Sequence, residues 1–118
     1  MSSEWVHEGE LSSEEIQIRA PSLPIRCKIQ GNWMDVLYNP TIGANLMSKS
    51  FALTCLGEEP RAPTVKFFRI APQSSLKGLG ILHNITLHHG NVEMALDFHV
   101  FDISDFDILI GHPLENFS

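Results

Sequence analysis

Polar and apolar positions alternate at period two over most of the chain. In "LPIRCKIQ", Ile25, Cys27 and Ile29 fall on one face, the pattern of a half-buried strand. "WMDVLY" follows across the turn dipeptide Gly31-Asn32, so the two segments form a hairpin. Earlier, "EEIQIRA" places Ile16 and Ile18 on one face and predicts a first strand. Leu46, Met47, Phe51 and Leu53 recur instead at roughly helical spacing, and "ANLMSKSFALTCLG" is expected as a short helix stopped at Gly57. "TVKFFRI" predicts a strand and "APQSSLKG" a mobile polar turn. "ILHNITLHH" and "VEMALDFHVFD" are long strands joined at Gly90-Asn91, a second hairpin. "FDILIG" is a short apolar run of the kind found in buried strands, and "HPLENFS" starts a C-terminal helix with Pro113 near its first turn.

Six or seven strands, two hairpins and one or two short helices predict an all-β fold, a small closed and mostly antiparallel β-barrel. The Ser/Glu-rich residues 1–14 are expected to be a flexible lead-in, and residues 15–118 a single domain, since a chain of 118 residues suits one core.

Composition narrows the function classes. With 43% apolar and 19% charged residues, the chain can build a folded core. A net charge of −6 argues against nucleic acid as a partner, because displacing counterions from phosphates takes a Lys/Arg surface. No apolar run approaches the ~20 residues of a membrane helix, so no membrane partner is expected. "MSSEWVHEGE" lacks the basic-then-apolar layout of a signal peptide, which places the expected location inside the cell, in cytoplasm or nucleus. Without that signal, the sequon Asn84-Ile85-Thr86 is taken as part of a strand.

Cys27 and Cys55 match neither a zinc pattern nor a disulfide framework and are expected reduced and partly buried. His83 and His89 would share a strand face with His99 on the paired strand. No His-Glu-x-x-His motif accompanies them, and no metal or cofactor is expected.

The stretch "VLYNPTIGANLMSKSFA" carries the main functional signal. A strand ending at residue 38, a turn over residues 39 to 43 and "NLM" leading into a helix form one half of a pattern. "DFHVFDISDFDILIGHPL" forms the other. Over roughly residues 24 to 115 this order resembles the retropepsin family, the aspartic-protease domain of retroviruses and retrotransposons. It is similar more narrowly to the degenerate forms in gypsy-type retroelements of plants. The resemblance implies a dimer in which each subunit supplies the Asp of an Asp-Thr/Ser-Gly motif. The two carboxylates share one proton, one activating water while the other polarises the scissile carbonyl.

Counting back from Asn45-Leu46-Met47 places Asn39, Pro40 and Thr41 at the three motif positions. Asn39 has no titratable proton, Pro40 has neither hydroxyl nor N–H, and Thr41 is branched where the family has Gly. The implied chain is a catalytically inactive pseudoenzyme acting as a dimerisation or protein-interaction module, a homodimer with a groove able to take a peptide or protein ligand. The alternative is an active aspartic endopeptidase drawing on another carboxylate, or on a partner subunit. Asp35, Asp102, Asp105 and Asp107 are the carboxylates weighed for that role, and the last three are expected as solvated turn residues. Gln73, Ser74, Ser75 and Gly78 fall where the family carries its flap.

Overall fold

The computed structural model describes residues 15–112 apart from 19, 61, 65, 72 and 73. The expected lead-in over 1–14, the helix expected from Pro113 and the flap residue Gln73 lie outside the described residues. The period-two segments are strands. β1 is Glu15–Ile16, β2 Leu23–Ile29, β3 Asn32–Tyr38, β4 Leu46–Ser48, β5 Phe67–Ala71, β6 Ser74–Lys77, β7 Gly80–His89, β8 Val92–Phe101 and β9 Ile108–Ile110. Six of them close a barrel in the order β2-β3-β9-β4-β8-β7, and β7 pairs back onto β2. The pairing is mostly antiparallel, with two parallel seams, β3 against β9 and β4 against β8.

The β2–β3 loop is Gln30-Gly31, one residue earlier than expected. Both residues have positive φ (47° and 87°), and Asn32 already pairs with Ile29. A two-residue loop with this right-handed strand twist needs positive φ at both positions, and Gly31 supplies the second without strain. The β7–β8 loop is Gly90-Asn91, with His89 opposite Val92. Within that hairpin the register shifts between Leu82 and Ile85, and Asn84 has φ 60°. The extra residue turns Leu82, Ile85 and Leu87 all into the core, although the first two differ by an odd number of positions. It also separates the histidines. His83 stays outside against Asp97, while His89 follows the phase of Leu87 and its Nδ1 lies 3.7 Å from the buried Cys27 Sγ. Among the described residues no three His, Cys, Asp or Glu side chains assemble into a metal-binding group.

The expected helix over "ANLMSKSFALTCLG" begins later. Leu46–Ser48 is strand β4, and helix α1 spans Lys49–Phe51, capped by Ser48 Oγ, which accepts from Phe51 N at 3.0 Å. It widens into a π-helical turn over Ala52–Leu56 and ends at Gly57, φ 66°, the expected stop. Leu46 and Met47 mimic helical spacing because they feed two different cores. Met47 packs inside the barrel with Val36, Leu87, Phe98 and Ile110, while Leu46 joins a second cluster with Ile42, Phe68, Phe101 and Leu109. β9 is apolar throughout for the same reason: Ile108 and Ile110 face the first core and Leu109 the second.

Three further expectations are corrected. "APQSSLKG" is not an open turn. Ser74–Lys77 pairs antiparallel with β5, and with β1 these strands make a sheet of order β1-β5-β6. The first strand stops at Ile16, which is buried, while Ile18 is exposed. Both cysteines are free, but Cys55 is exposed and only Cys27 is buried, where desolvation pushes its thiol pKa up.

Candidate functional site

β3 delivers Asn39 to the barrel end. Leu37 and Tyr38 pair with Leu109 and Ile110, and Asn39 N donates to Ile110 O at 2.8 Å, one residue beyond the strand. The chain then turns, with Ile42 N donating to Asn39 O at 3.3 Å. Pro40 occupies the turn's second position, where its fixed φ fits and its missing N–H costs no bond. Asn39 Oδ1 accepts from Thr41 N at 3.1 Å and also from the Thr41 hydroxyl. Asn-Pro-Thr thus makes a side-chain-closed turn of its own, in which Thr41 supplies a hydroxyl and needs no glycine-like backbone.

The other half of the carboxamide faces the segment before β2. Asn39 Nδ2 donates to Ala20 O at 2.9 Å and to Ser22 Oγ at 3.2 Å. The residue has no exposed surface, and its amide oxygen and both amide protons are engaged. The carboxamide meets both sides at once, accepting from Thr41 and donating to Ala20, which an ionised carboxylate does not. A second buried asparagine braces the turn. Asn45 Oδ1 accepts from Gly111 N at 2.9 Å and Asn45 Nδ2 donates to Asp97 O at 3.1 Å. Its backbone O accepts from His99 N at 2.8 Å. In the sequence Asn45 stands out only by its spacing to the 39–41 stretch. A lone polar residue opening an apolar run was the available signal for a buried brace.

No family model matches the chain, and no curated protein matches it. Solved structures do. A retropepsin-like aspartic protease from Rickettsia conorii superposes with a TM-score of 0.62 at 16% identity, over 86% of this chain and 84% of that one. The retroviral protease-like domain of Ddi1 from Leishmania major gives 0.61 at 17% identity, covering 83% and 78%. The EIAV protease, complexed with the inhibitor HBY-793, gives 0.61 at 10% identity, covering 83% and 88%. The fold is that of the retropepsin-like aspartic proteases.

On this retropepsin-like frame none of the four candidate aspartates hydrogen-bonds to the Asn39 side chain. Asp35 is exposed on β3 and pairs with Arg26 at 3.3 Å. Asp102, Asp105 and Asp107 are exposed, and Asp107 O accepts from Ser48 N at 2.8 Å. Asp97 lies on the outside of β8. Burial pushes its carboxyl upward, but the Asn84 N–H and His83 outweigh this and hold it below the usual range.

Of the residues at the flap position, Ser74 and Ser75 lie on β6, with Ser75 exposed. Gly78 follows the strand and is buried. Its N donates to Lys66 O at 3.0 Å, and a Cβ there would lie 2.5 Å from the Thr64 methyl, so its small size serves close packing. Between the 41–44 turn and β1 runs a cleft of about 310 Å³, walled by Glu15, Ile16 and Gln17 on one side and Thr41 to Ala44 on the other, with Lys66 beside them. No helix among the described residues is long and apolar enough to cross a membrane.

Proposed function

We propose that this chain is a non-catalytic retropepsin-like domain, derived from a plant gypsy-type retrotransposon polyprotein, that acts as a homodimeric protein-interaction module. One observation carries the reading. Asn39, which we assign to the position of the family aspartate, is a fully buried amide whose hydrogen-bonding atoms are all satisfied within its own chain. A general base must take a proton from water held within about 3 Å, and a carboxamide near neutral pH takes none. Pairing two such chains through this turn would bring together two asparagines where the family has two aspartates. The barrel, the cleft and the edge strand β6, unpaired on its outer side among the described residues, are the features that support binding.

The test is a peptidase assay on the purified chain with an unfolded protein substrate from pH 4 to 7, with the mass in solution recorded alongside. The expected result is no cleavage above the blank and a particle of twice the chain mass. Cleavage that a pepstatin-type inhibitor blocks would overturn the non-catalytic reading and move the search to Asp35 and Asp107. A monomer would remove the homodimer.

A further inference from the structure

We infer that residues 15–18 and 20–22 of this chain lie as a resident, tethered peptide against β5 and the 39–44 turn, and that this self-occupancy masks the groove there. The inference deepens the interaction-module reading and rests on it.

Four kinds of contact along the described residues of this segment are the contacts a bound peptide makes. Backbone comes first: β1 adds to β5 as a parallel strand, Glu15 opposite Phe67 and Ile16 opposite Phe68, the strand-addition mode of peptide recognition. A side-chain anchor follows. Ile16 is 7% exposed and belongs to the second core cluster with Ile42, Phe68 and Leu109. Charge fixes the register through an ion pair between the Glu15 carboxylate and Arg69 on β5. At the far end, Ala20 O and Ser22 Oγ take both protons of the Asn39 carboxamide. Between these anchors Ile18 and Pro21 are exposed.

The hold is short. β1 is two residues long and reaches the barrel's own strands only through side chains. The cleft beside it stays open at about 310 Å³, so the segment does not fill the space it enters. These features define the ligand chemistry: an extended peptide with an acidic residue directly followed by a branched aliphatic one, and a carbonyl and a hydroxyl acceptor four to six residues later. The tethered segment competes at an effective concentration on the order of millimolar, which masks the site in the resting chain.

The experiment titrates a fluorescent synthetic peptide of residues 15–23, EIQIRAPSL, into the full chain and into full chains carrying Ile16→Ser or Glu15→Lys. Both substitutions weaken the resident segment and leave β5 and the 39–44 turn unchanged. The expected result is binding at least about tenfold tighter to either variant than to wild type, as loss of self-competition requires. A peptide with Asp at the isoleucine position should not bind. In the Ile16→Ser chain, adding Arg69→Glu should reverse the preference toward a peptide that begins with Lys. Equal affinity for wild type and both variants, or equal binding of the Asp peptide, overturns the inference. Recovery of the peptide by mass separates the two readings. A bound peptide returned in pieces contradicts the non-catalytic reading and leaves the cleft assigned, whereas an intact peptide that never binds does the reverse.

Discussion

Asn39→Asp is expected to destabilise the fold at neutral pH and to leave it near wild-type stability in acid. The substitution changes one atom type at a fully buried position. An ionised carboxylate there still accepts from Thr41, but its second oxygen stands where Nδ2 now donates to Ala20 O at 2.9 Å and Ser22 Oγ at 3.2 Å. Two acceptors then face each other without water between them, and the expected cost is about 2–4 kcal/mol. Burial against a carbonyl raises the carboxyl pKa in the folded state above its unfolded value of about 3.9. Below that unfolded value the acid is neutral in both states and donates to Ala20 O, so no electrostatic penalty exists. The penalty grows as pH rises through the unfolded pKa and levels off above the folded one. Urea unfolding of wild type and variant at pH 3.5 and pH 7 measures it directly, because asparagine does not titrate and the difference isolates the new group. The same difference at both pH values would show that the carboxamide is not held as described.

Gly111→Ala should have the largest effect on folding. Its added Cβ would collide with Ala44 O and lie 2.7 Å from Ile42 O, with Ile42 Cγ1 at 3.0 Å. Both oxygens are backbone, in the turn that the chain depends on to place Asn39, and neither can move without breaking His112 N to Ile42 O at 2.7 Å or Gly111 N to Asn45 Oδ1 at 2.9 Å. A loss of about 3 kcal/mol or more is expected, a large share of the total stability of a domain this size. Gly43→Ala, in the same turn, has nothing within 4 Å of its Cβ and should stay within about 0.5 kcal/mol of wild type. Thermal unfolding of the pair decides the point. A Gly111→Ala chain as stable as Gly43→Ala would mean that β9 does not press on the turn.

These two residues also show what the sequence could and could not disclose. The strands of the barrel were legible because each has one face inward, and alternation survives wherever the pleat is regular. It failed at Asn84, where one extra residue shifts the phase. It failed again at Leu46-Met47, adjacent apolar residues serving cores on opposite faces of one strand. β6 was missed since an edge strand with "SSLK" needs few apolar side chains to pair. The assignment of Asn39 to the family motif followed from its spacing to Asn45-Leu46-Met47 alone. The meaning of its amide did not, because the partners that use it, Ala20 and Ser22, lie 19 and 17 residues away and reach it only through the tertiary fold. For the same reason "EEIQIRA" looked like an ordinary amphipathic strand, although Ile16 alone is buried and Ile18 is exposed.

The account turns on the state of one carboxamide, and its most direct measurement is hydrogen exchange of the Asn39 side-chain amide in 15N-labelled protein at pH 7. With both protons bonded to Ala20 and Ser22 in a site closed to water, exchange should be slowed by roughly three powers of ten or more relative to an exposed asparagine, tracking opening of the 15–22 segment. Exchange at the rate of an exposed asparagine would place water at Asn39 and contradict the reading of a closed, non-catalytic site.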